Sequence, residues 1–138
     1  FAAFAERSIA VVAYFERALY ALPESELTAG NFTLNGKRPH IYITPFYRKL
    51  PLDVFGGTSV HTPAPRLVRL EFGALQTNTF VPADQKGRPR TFFQDRIFVR
   101  EFFTRTGAKP GDVVLFEEIT PYHFRLSLKK AAGRVITA

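Results

Sequence analysis

The 138-residue sequence contains no cysteine, no methionine and no tryptophan. Without cysteine, the chain has neither a disulfide framework nor a thiolate metal site. Long apolar runs are also lacking, since the early run over residues 9–15 is stopped by Glu16 and Arg17 and is too short to cross a bilayer. No basic stretch followed by a cleavage site marks a signal peptide. These absences favour a cytoplasmic protein, and the missing methionine predicts a piece of a longer one.

The composition predicts one folded, β-rich domain over residues 1–138. Hydrophobic residues make up 46% of the chain and include 15 phenylalanines, which is enough for one substantial core. Ten prolines and nine glycines indicate many turns, which favours strands over a helical bundle. There are no internal repeats or low-complexity tracts.

The net charge of +7 is concentrated in two segments. Residues 30–50 carry four cations and no acid, a balance of +4. Residues 85–105 carry six cations and two acids, again a balance of +4. Solvation of an ordinary surface explains many charge runs, but two acid-poor segments in one small domain favour an acidic partner, most simply nucleic acid.

The order of the predicted elements indicates an antiparallel barrel with short helices. Residues 1–23 read as a helix, followed by short strands over 32–34 and 40–44 and a long connection over 45–65. Strands are predicted over 66–72, with Leu67 among the core-facing residues, over 75–81, and again over 113–116 and 122–128. Between them, residues 95–105 form an amphipathic helix with Ile97 inward and Gly107 as its stop. Pro110 and Gly111 fit a type II turn.

Catalytic chemistry finds little support in the sequence. His40, His61 and His123 lie far apart without cysteine partners, so no metal site is predicted. A small metal-dependent nuclease remains an alternative, in which Asp112, Glu117 and Glu118 would hold the cation. However, no clear acid–x–lysine pair accompanies these carboxylates. We therefore expect a chain that is not an enzyme, with no cofactor and no small-molecule substrate.

The two basic segments are predicted to be arms that enter the major groove of duplex DNA. The first arm also contains Asn31. Arginine is the usual partner of guanine, and asparagine or glutamine of adenine. The predicted base-reading residues are Asn35, Lys37, Arg38, His40, Gln85, Lys86, Arg88, Arg90 and Gln94. The predicted phosphate-contacting residues are Thr77, Asn78, Arg48, Lys49, Arg66, Arg69, Arg96, Lys129 and Lys130.

Three other interpretations stay open. Residues 86–90, KGRPR, match the core of an AT-hook, which lies in the minor groove of A·T-rich DNA. A swapped-hairpin or double-psi barrel regulator would bind DNA as a dimer. An RNA-binding or general polyanion-binding domain would use the same cations without sequence preference.

The segment FVREFFTRTGAKPGDVVLFEEITPYHFRLSL resembles the closing half of plant B-three DNA-binding domains, where a short helix runs into an L-x-x-GD turn and two strands. Ala108 replaces the usual leucine of that turn. The segment GKRPHIYITPFYRKL is similar to the first arm of bacterial relatives, namely the effector-binding N-terminal domains of EcoRII-type (type IIE) restriction endonucleases and the recognition domains of BfiI-like enzymes.

This resemblance covers residues 28–130 and implies a seven-stranded open pseudobarrel, preceded by the extra helix over 1–23. It places the first arm on residues 28–42 and the second arm on residues 77–96. It implies a non-catalytic recognition domain of a bacterial, cytoplasmic type II restriction endonuclease, monomeric in isolation. Cleavage, and with it Mg²⁺, would belong to a separate catalytic domain. No membrane partner is implied.

Overall fold

The computed structural model describes residues 24–28, 31, 32 and 39–138. The helix predicted over 1–23 and the tip of the first arm, residues 33–38, lie outside the described residues. Among those that are described, no helix is long and apolar enough to cross a membrane.

The described residues form one mixed β-sheet and one α-helix. The strands are β1 (Glu24–Glu26), β2 (Val68–Phe72), β3 (Leu75–Thr79), β4 (Val113–Thr120), β5 (His123–Lys129) and β6 (Val135–Ile136). Helix α1 spans Arg96–Thr106, and two 3-10 turns span Tyr47–Lys49 and Leu52–Val54. The sheet order is β1-β4-β5-β2-β3, and β6 pairs with the far end of β5. All pairs are antiparallel except β2 with β5.

The prediction of a mainly β fold with a short helix is confirmed. The sheet of six strands in the described chain is open, because β1 and β3 lie at its two edges. Residues 40–44 were predicted as a strand, but they belong to none of the strands of this sheet. Strand β1 was not predicted, since its sequence, ESE, has no apolar residue to reveal an alternating pattern.

The core lies between one face of the sheet and helix α1. Alternate residues of the central strands are buried there, for example Val68, Leu70 and Phe72 of β2. Leu67 was predicted to face the core, but it precedes the strand and is exposed. The ring of Phe102 on α1 packs edge-on against Phe72 with centroids 5.2 Å apart. Aromatic side chains from several elements thus fill one common interior.

Helix α1 is delimited by its capping residues. The Asp95 carboxylate accepts a hydrogen bond from the Phe98 backbone N–H at 3.1 Å, which satisfies one of the otherwise unpaired N–H groups of the first turn. Gly107 ends the helix in the left-handed region at φ 66°, as predicted. Ile97 was predicted to point inward, but 74% of it is exposed. Because successive helical residues are about 100° apart, Ile97 lies on the face opposite the stripe of buried residues that begins with Phe98 and Val99.

Two segments outside the strands connect the open edges of the sheet. The Ser25 hydroxyl of β1 donates to the carbonyl of Tyr42. The Ile43 N–H donates to the Thr91 carbonyl at 2.7 Å, and the Gln94 N–H donates to the carbonyl of Phe80, just beyond β3, at 2.9 Å. Residues 41–43 and 91–94 therefore lie side by side between the β1 edge and the β3 edge.

A buried carboxylate fixes the turn before β4. The turn closes with a hydrogen bond from the Asp112 N–H to the Lys109 carbonyl at 3.1 Å, and Gly111 has φ 94°, as a type II turn requires. Asp112 is 3% exposed and accepts from the Lys130 ammonium at 2.6 Å. Burial raises its pKa, but hydrogen bonds from Lys130 and from the Lys109 and Ala131 N–H groups outweigh burial, so the pKa lies below the ordinary value of an aspartate.

We predict that Asp112→Asn lowers the free energy of unfolding by about 2–4 kcal/mol at pH 7, because the amide nitrogen cannot accept from Lys130. The folded-state pKa of Asp112 is depressed, so this stability is present above the ordinary aspartate pKa of about 3.9 and is lost as pH falls through the folded-state pKa. Urea unfolding of both proteins between pH 7 and pH 2 measures the difference, which should shrink at the acid end.

The exposed neighbour Lys129 provides the control. Lys129→Gln should change the free energy of unfolding by less than about 0.5 kcal/mol. A difference between the Asp112→Asn protein and the original that stays constant down to pH 2 would contradict the proposed role of the carboxylate.

Candidate nucleic-acid interface

The second predicted arm contains a short hairpin with a tight tip, residues 84–88. The Asp84 N–H donates to the Arg88 carbonyl at 2.8 Å, and the Gly87 N–H donates to the Asp84 carbonyl at 3.0 Å. Gly87 has φ 79°, which fits the left-handed position of a three-residue hairpin loop. Below the tip, the Arg90 N–H donates to the Pro82 carbonyl at 2.8 Å. The arm is therefore an ordered hairpin.

The polar side chains of this hairpin face solvent. Gln85, Lys86, Arg88 and Arg90 are all exposed. The Asp84 carboxylate accepts hydrogen bonds from the backbone of the tip. It also forms an ion pair with the Nε of Arg88 at 3.1 Å. The hydrogen bond from the Arg88 backbone N–H is the main reason that the pKa of Asp84 lies below its usual range. These four predicted readers are thus exposed together on one hairpin, and three of them are cations.

The first arm is closed at its base by Asn31 and His40. The His40 N–H donates to the Asn31 carbonyl at 3.1 Å, and the Asn31 Nδ2 donates back to the His40 carbonyl at 2.9 Å. The Asn31 Oδ1 accepts from the Thr28 N–H at 2.6 Å. Asn31 is 1% exposed, so its side chain holds the base of the arm and does not face a ligand. The predicted readers Asn35, Lys37 and Arg38 lie outside the described residues.

The bases of the two arms are in direct contact. The His40 ring stacks on the Phe92 ring, with centroids 4.1 Å apart and an interplanar angle of 22°. Next to this stack, the Ile43 N–H donates to the Thr91 carbonyl at 2.7 Å. His40 belongs to the base of the first arm, and Phe92 lies two residues after the last hydrogen-bonded residue of the hairpin, Arg90. The fold therefore brings together two basic segments that are about fifty residues apart in sequence.

Arg48 and Lys49 lie on the exposed 3-10 turn that follows the first arm. The Arg48 Nε donates to the Tyr47 hydroxyl at 3.1 Å, and its guanidinium lies 5.6 Å from the centre of the same ring. An open, mostly apolar groove of about 390 Å³ separates this turn from the second arm and is lined by Tyr47, Arg48, Leu50, Leu52, Phe55 and Pro89. Arg48 is thus close to the second arm.

The residues at the root of the second arm have mixed roles. The Thr77 hydroxyl donates to the Asp95 carboxylate, which caps helix α1. Asn78 is exposed and shares a shallow groove with Arg69, whose Nη2 donates to the Gln76 Oε1 at 2.5 Å. Gln94 and Arg96 line a separate groove beside the start of the helix. The grooves that these residues line are separate from the groove lined by Pro89 of the hairpin.

Several predicted phosphate contacts have partners within the protein. The Arg66 guanidinium lies 3.6 Å from the centre of the Tyr122 ring, whose hydroxyl donates to Asp53 at 3.0 Å. The Lys130 ammonium donates to the buried Asp112 carboxylate, and it donates to the Gly107 carbonyl at 2.9 Å. These bonds give Lys130 a structural role. Lys129 is exposed on β5. Phosphate binding by these residues stays a prediction.

Sequence reasoning missed a network of polar side chains on the outer face of the sheet. His123 contacts the Glu71 carboxylate, and the Arg125 Nη1 donates to the Glu117 Oε1 at 3.2 Å. The alternating patterns of β2 and β5 place Glu71, His123 and Arg125 outward, but only the parallel pairing of these strands makes them neighbours.

Two of the three carboxylates of the nuclease alternative have structural partners in this fold. Asp112 is buried against Lys130, and Glu117 is paired with Arg125. Within the described part of the chain, no group of three or more histidine, aspartate or glutamate side chains is placed to hold a metal ion.

We predict that Asn31→Ala lowers the free energy of unfolding by about 1–3 kcal/mol, because it removes buried hydrogen bonds to Thr28 and His40. Faster hydrogen exchange at the Asn31 and His40 amides should accompany the loss. Asn78→Ala, at an exposed position of β3, is the matched control and should cost less than about 0.5 kcal/mol. Equal effects of the two substitutions would show that Asn31 does not hold the base of the arm.

Comparison with known proteins does not identify this fold or this site. No family model, no curated protein and no solved structure matches the chain. The likeness to B-three-type domains therefore stays a hypothesis. The function is inferred from the geometry and the charge of the chain.

Proposed function

We propose that the chain is a sequence-specific, duplex DNA-binding domain that grips the major groove with two arms. The observation that carries this proposal is the contact between the arm bases, where His40 stacks on Phe92. Two cationic segments that share a base can contact one ligand at the same time. A major groove about 12 Å wide admits such a two-pronged element.

The hydrogen bonds around the sheet support a pseudobarrel. Residues 41–43 and 91–94 bridge the edges left by β1 and β3, through Ser25 at one side and Phe80 at the other. The resemblance to B-three-type domains implies an open pseudobarrel of seven strands. We propose the same architecture here, with the two arms emerging from the bridging segments.

The proposal assigns different roles to the polar residues of the hairpin and to the cations of the 3-10 turn. Gln85, Lys86, Arg88 and Arg90 stand on an exposed hairpin and read base edges. Arg48 and Lys49, on the nearby turn, contact phosphates, which supply affinity and its salt dependence but little sequence information. The net charge of +7 steers the duplex toward the protein.

In its biological setting, the chain would be the target- or effector-recognition domain of a bacterial type II restriction endonuclease. It would bind DNA as a monomer, and a separate domain would use Mg²⁺ to cleave. The structural partners of Asp112 and Glu117 favour this assignment over a stand-alone nuclease. The purified chain should therefore leave plasmid DNA intact in Mg²⁺, and cleavage that copurifies with the monomer would overturn the assignment.

We predict that selection from a randomised duplex library enriches one defined sequence. Sequencing of the bound fraction over successive rounds measures the enrichment, and specific sites should bind at least about 10³-fold more tightly than random duplex at physiological salt. Single-stranded RNA of random sequence is the competitor that tests polyanion binding. Equal competition by this RNA, with no enriched site, would reject sequence-specific recognition. An enriched site made only of A·T pairs would favour the AT-hook interpretation.

Two arginine-to-alanine substitutions separate base reading from phosphate contact. Arg90→Ala should relax the preference at one base pair by about 1–3 kcal/mol. Arg48→Ala should weaken all sequences equally and reduce the slope of log Kd against log salt by about one. Each variant removes one exposed cation, so each serves as the control of the other in titrations of the selected duplex. The reverse pattern would mean that the assigned roles are exchanged.

A further inference from the structure

The carboxylate of Asp84 fixes both the backbone and one side chain of the hairpin tip. Its Oδ1 accepts the backbone N–H groups of Lys86 and Arg88, each at 2.9 Å. Its Oδ2 accepts the Nε–H of Arg88 at 3.1 Å. The same group that shapes the turn therefore also sets the direction of the Arg88 guanidinium.

The bond to Asp84 leaves the outer edge of this guanidinium available. Arg88 has 71% of its side chain exposed, and within the described part of the chain Asp84 is its one bonded partner. Since Nε is engaged, the N–H groups on Nη1 and Nη2 remain, and they form a planar fork. A fork of this kind matches two acceptors that lie side by side.

Guanine presents such a pair of acceptors in the major groove, O6 and N7. Adenine offers one acceptor beside a donor at the same edge, so it cannot accept both N–H groups. The negative charge of Asp84 also disfavours a phosphate close to Arg88 and leaves the base edge as the better partner. Arg90 of the same arm has no bonded acid in the described structure.

We infer that Asp84 is a positioning residue that orients Arg88 to read one guanine of the recognised sequence. This inference rests on the proposed function. A guanidinium held in advance loses less rotamer freedom on binding than an unrestrained arginine, so more of its bonding energy serves discrimination. Asp84 acts through Arg88 and does not itself contact the base.

Parallel selections from the randomised duplex library test this inference. The wild-type protein, Asp84→Asn and Arg88→Lys are each taken through the same rounds. Asparagine keeps a carbonyl oxygen for the two backbone N–H groups of the tip, whereas its amide replaces the charged acceptor of Arg88. We expect Asp84→Asn to reduce the guanine preference at one position about tenfold, with the other positions changed less than about twofold. Arg88→Lys should reduce the preference at that same position, because an ammonium lacks the fork.

Each other outcome overturns the inference. If Asp84→Asn flattens the preference at every position, the carboxylate only shapes the hairpin. If the two substitutions affect different positions, Asp84 reads a base itself, for example a cytosine amino group. If the wild-type protein enriches no sequence, the proposed function fails, and this failure is distinct from the first two because it appears without any substitution.

Glu101→Gln is the matched control. Glu101 forms a similar i,i+4 pair with Arg105 at 3.5 Å, but on helix α1 and away from the hairpin tip. This variant should select the wild-type sequence at every position. Thermal unfolding of all variants shows whether they are folded.

A base analogue supplies a second measurement. Replacing the guanine at the affected position by 7-deazaguanine removes the N7 acceptor. The analogue should weaken binding of the wild-type protein about tenfold and binding of Asp84→Asn clearly less. If the analogue weakens binding of both proteins equally, Asp84 has no role in the recognition of guanine.

Discussion

The candidate site depends on the contact between the His40 and Phe92 rings, which lies between the bases of the two arms. The two rings stack on each other. The hydrogen bonds between Asn31 and His40 support the stack on one side, and the hydrogen bond from Ile43 to Thr91 supports it on the other. Without it, two basic segments would be separate charged loops of a small β protein. With it, they share one base, and this shared base is the observation behind the proposal that both segments bind one ligand. Stacking and buried hydrogen bonds suit this role because they fix orientation as well as distance.

The protein uses the same electrostatic device at two turns. In each, an aspartate accepts backbone N–H groups together with one cationic side chain, close to a glycine with positive φ. At Asp112 the carboxylate is 3% exposed, and its pair with Lys130 joins the turn before β4 to the end of β5. At Asp84 the carboxylate lies at the tip of an exposed hairpin, where water screens the charges and little stability follows. What the second pair supplies is the orientation of Arg88.

This contrast also separates the cations of the chain into two groups. Lys130 and Arg66 are held by the protein itself, through Asp112 and the Tyr122 ring. The cations of the hairpin and of the 3-10 turn, such as Lys86, Arg90 and Lys49, face solvent. A count of charges gives both groups equal weight. However, a cation that is already paired within the protein neutralises phosphates poorly, so it releases few of the counterions bound to a nucleic acid. The exposed cations of the hairpin and of the 3-10 turn are therefore the described ones on which the proposed function rests.

The sequence by itself determined the local features of this protein. Helix α1 with its Gly107 stop, the Pro-Gly turn and the strands β2 to β5 follow from periodicity and turn chemistry, which act over a few residues. The exposed cations of the second arm follow from the same local rules. Only the tertiary structure decided that β2 pairs in parallel with β5, that Asn31 is buried, and that His40 reaches Phe92. Such contacts join distant segments, and they depend on how the whole chain shares one core, which no local pattern encodes.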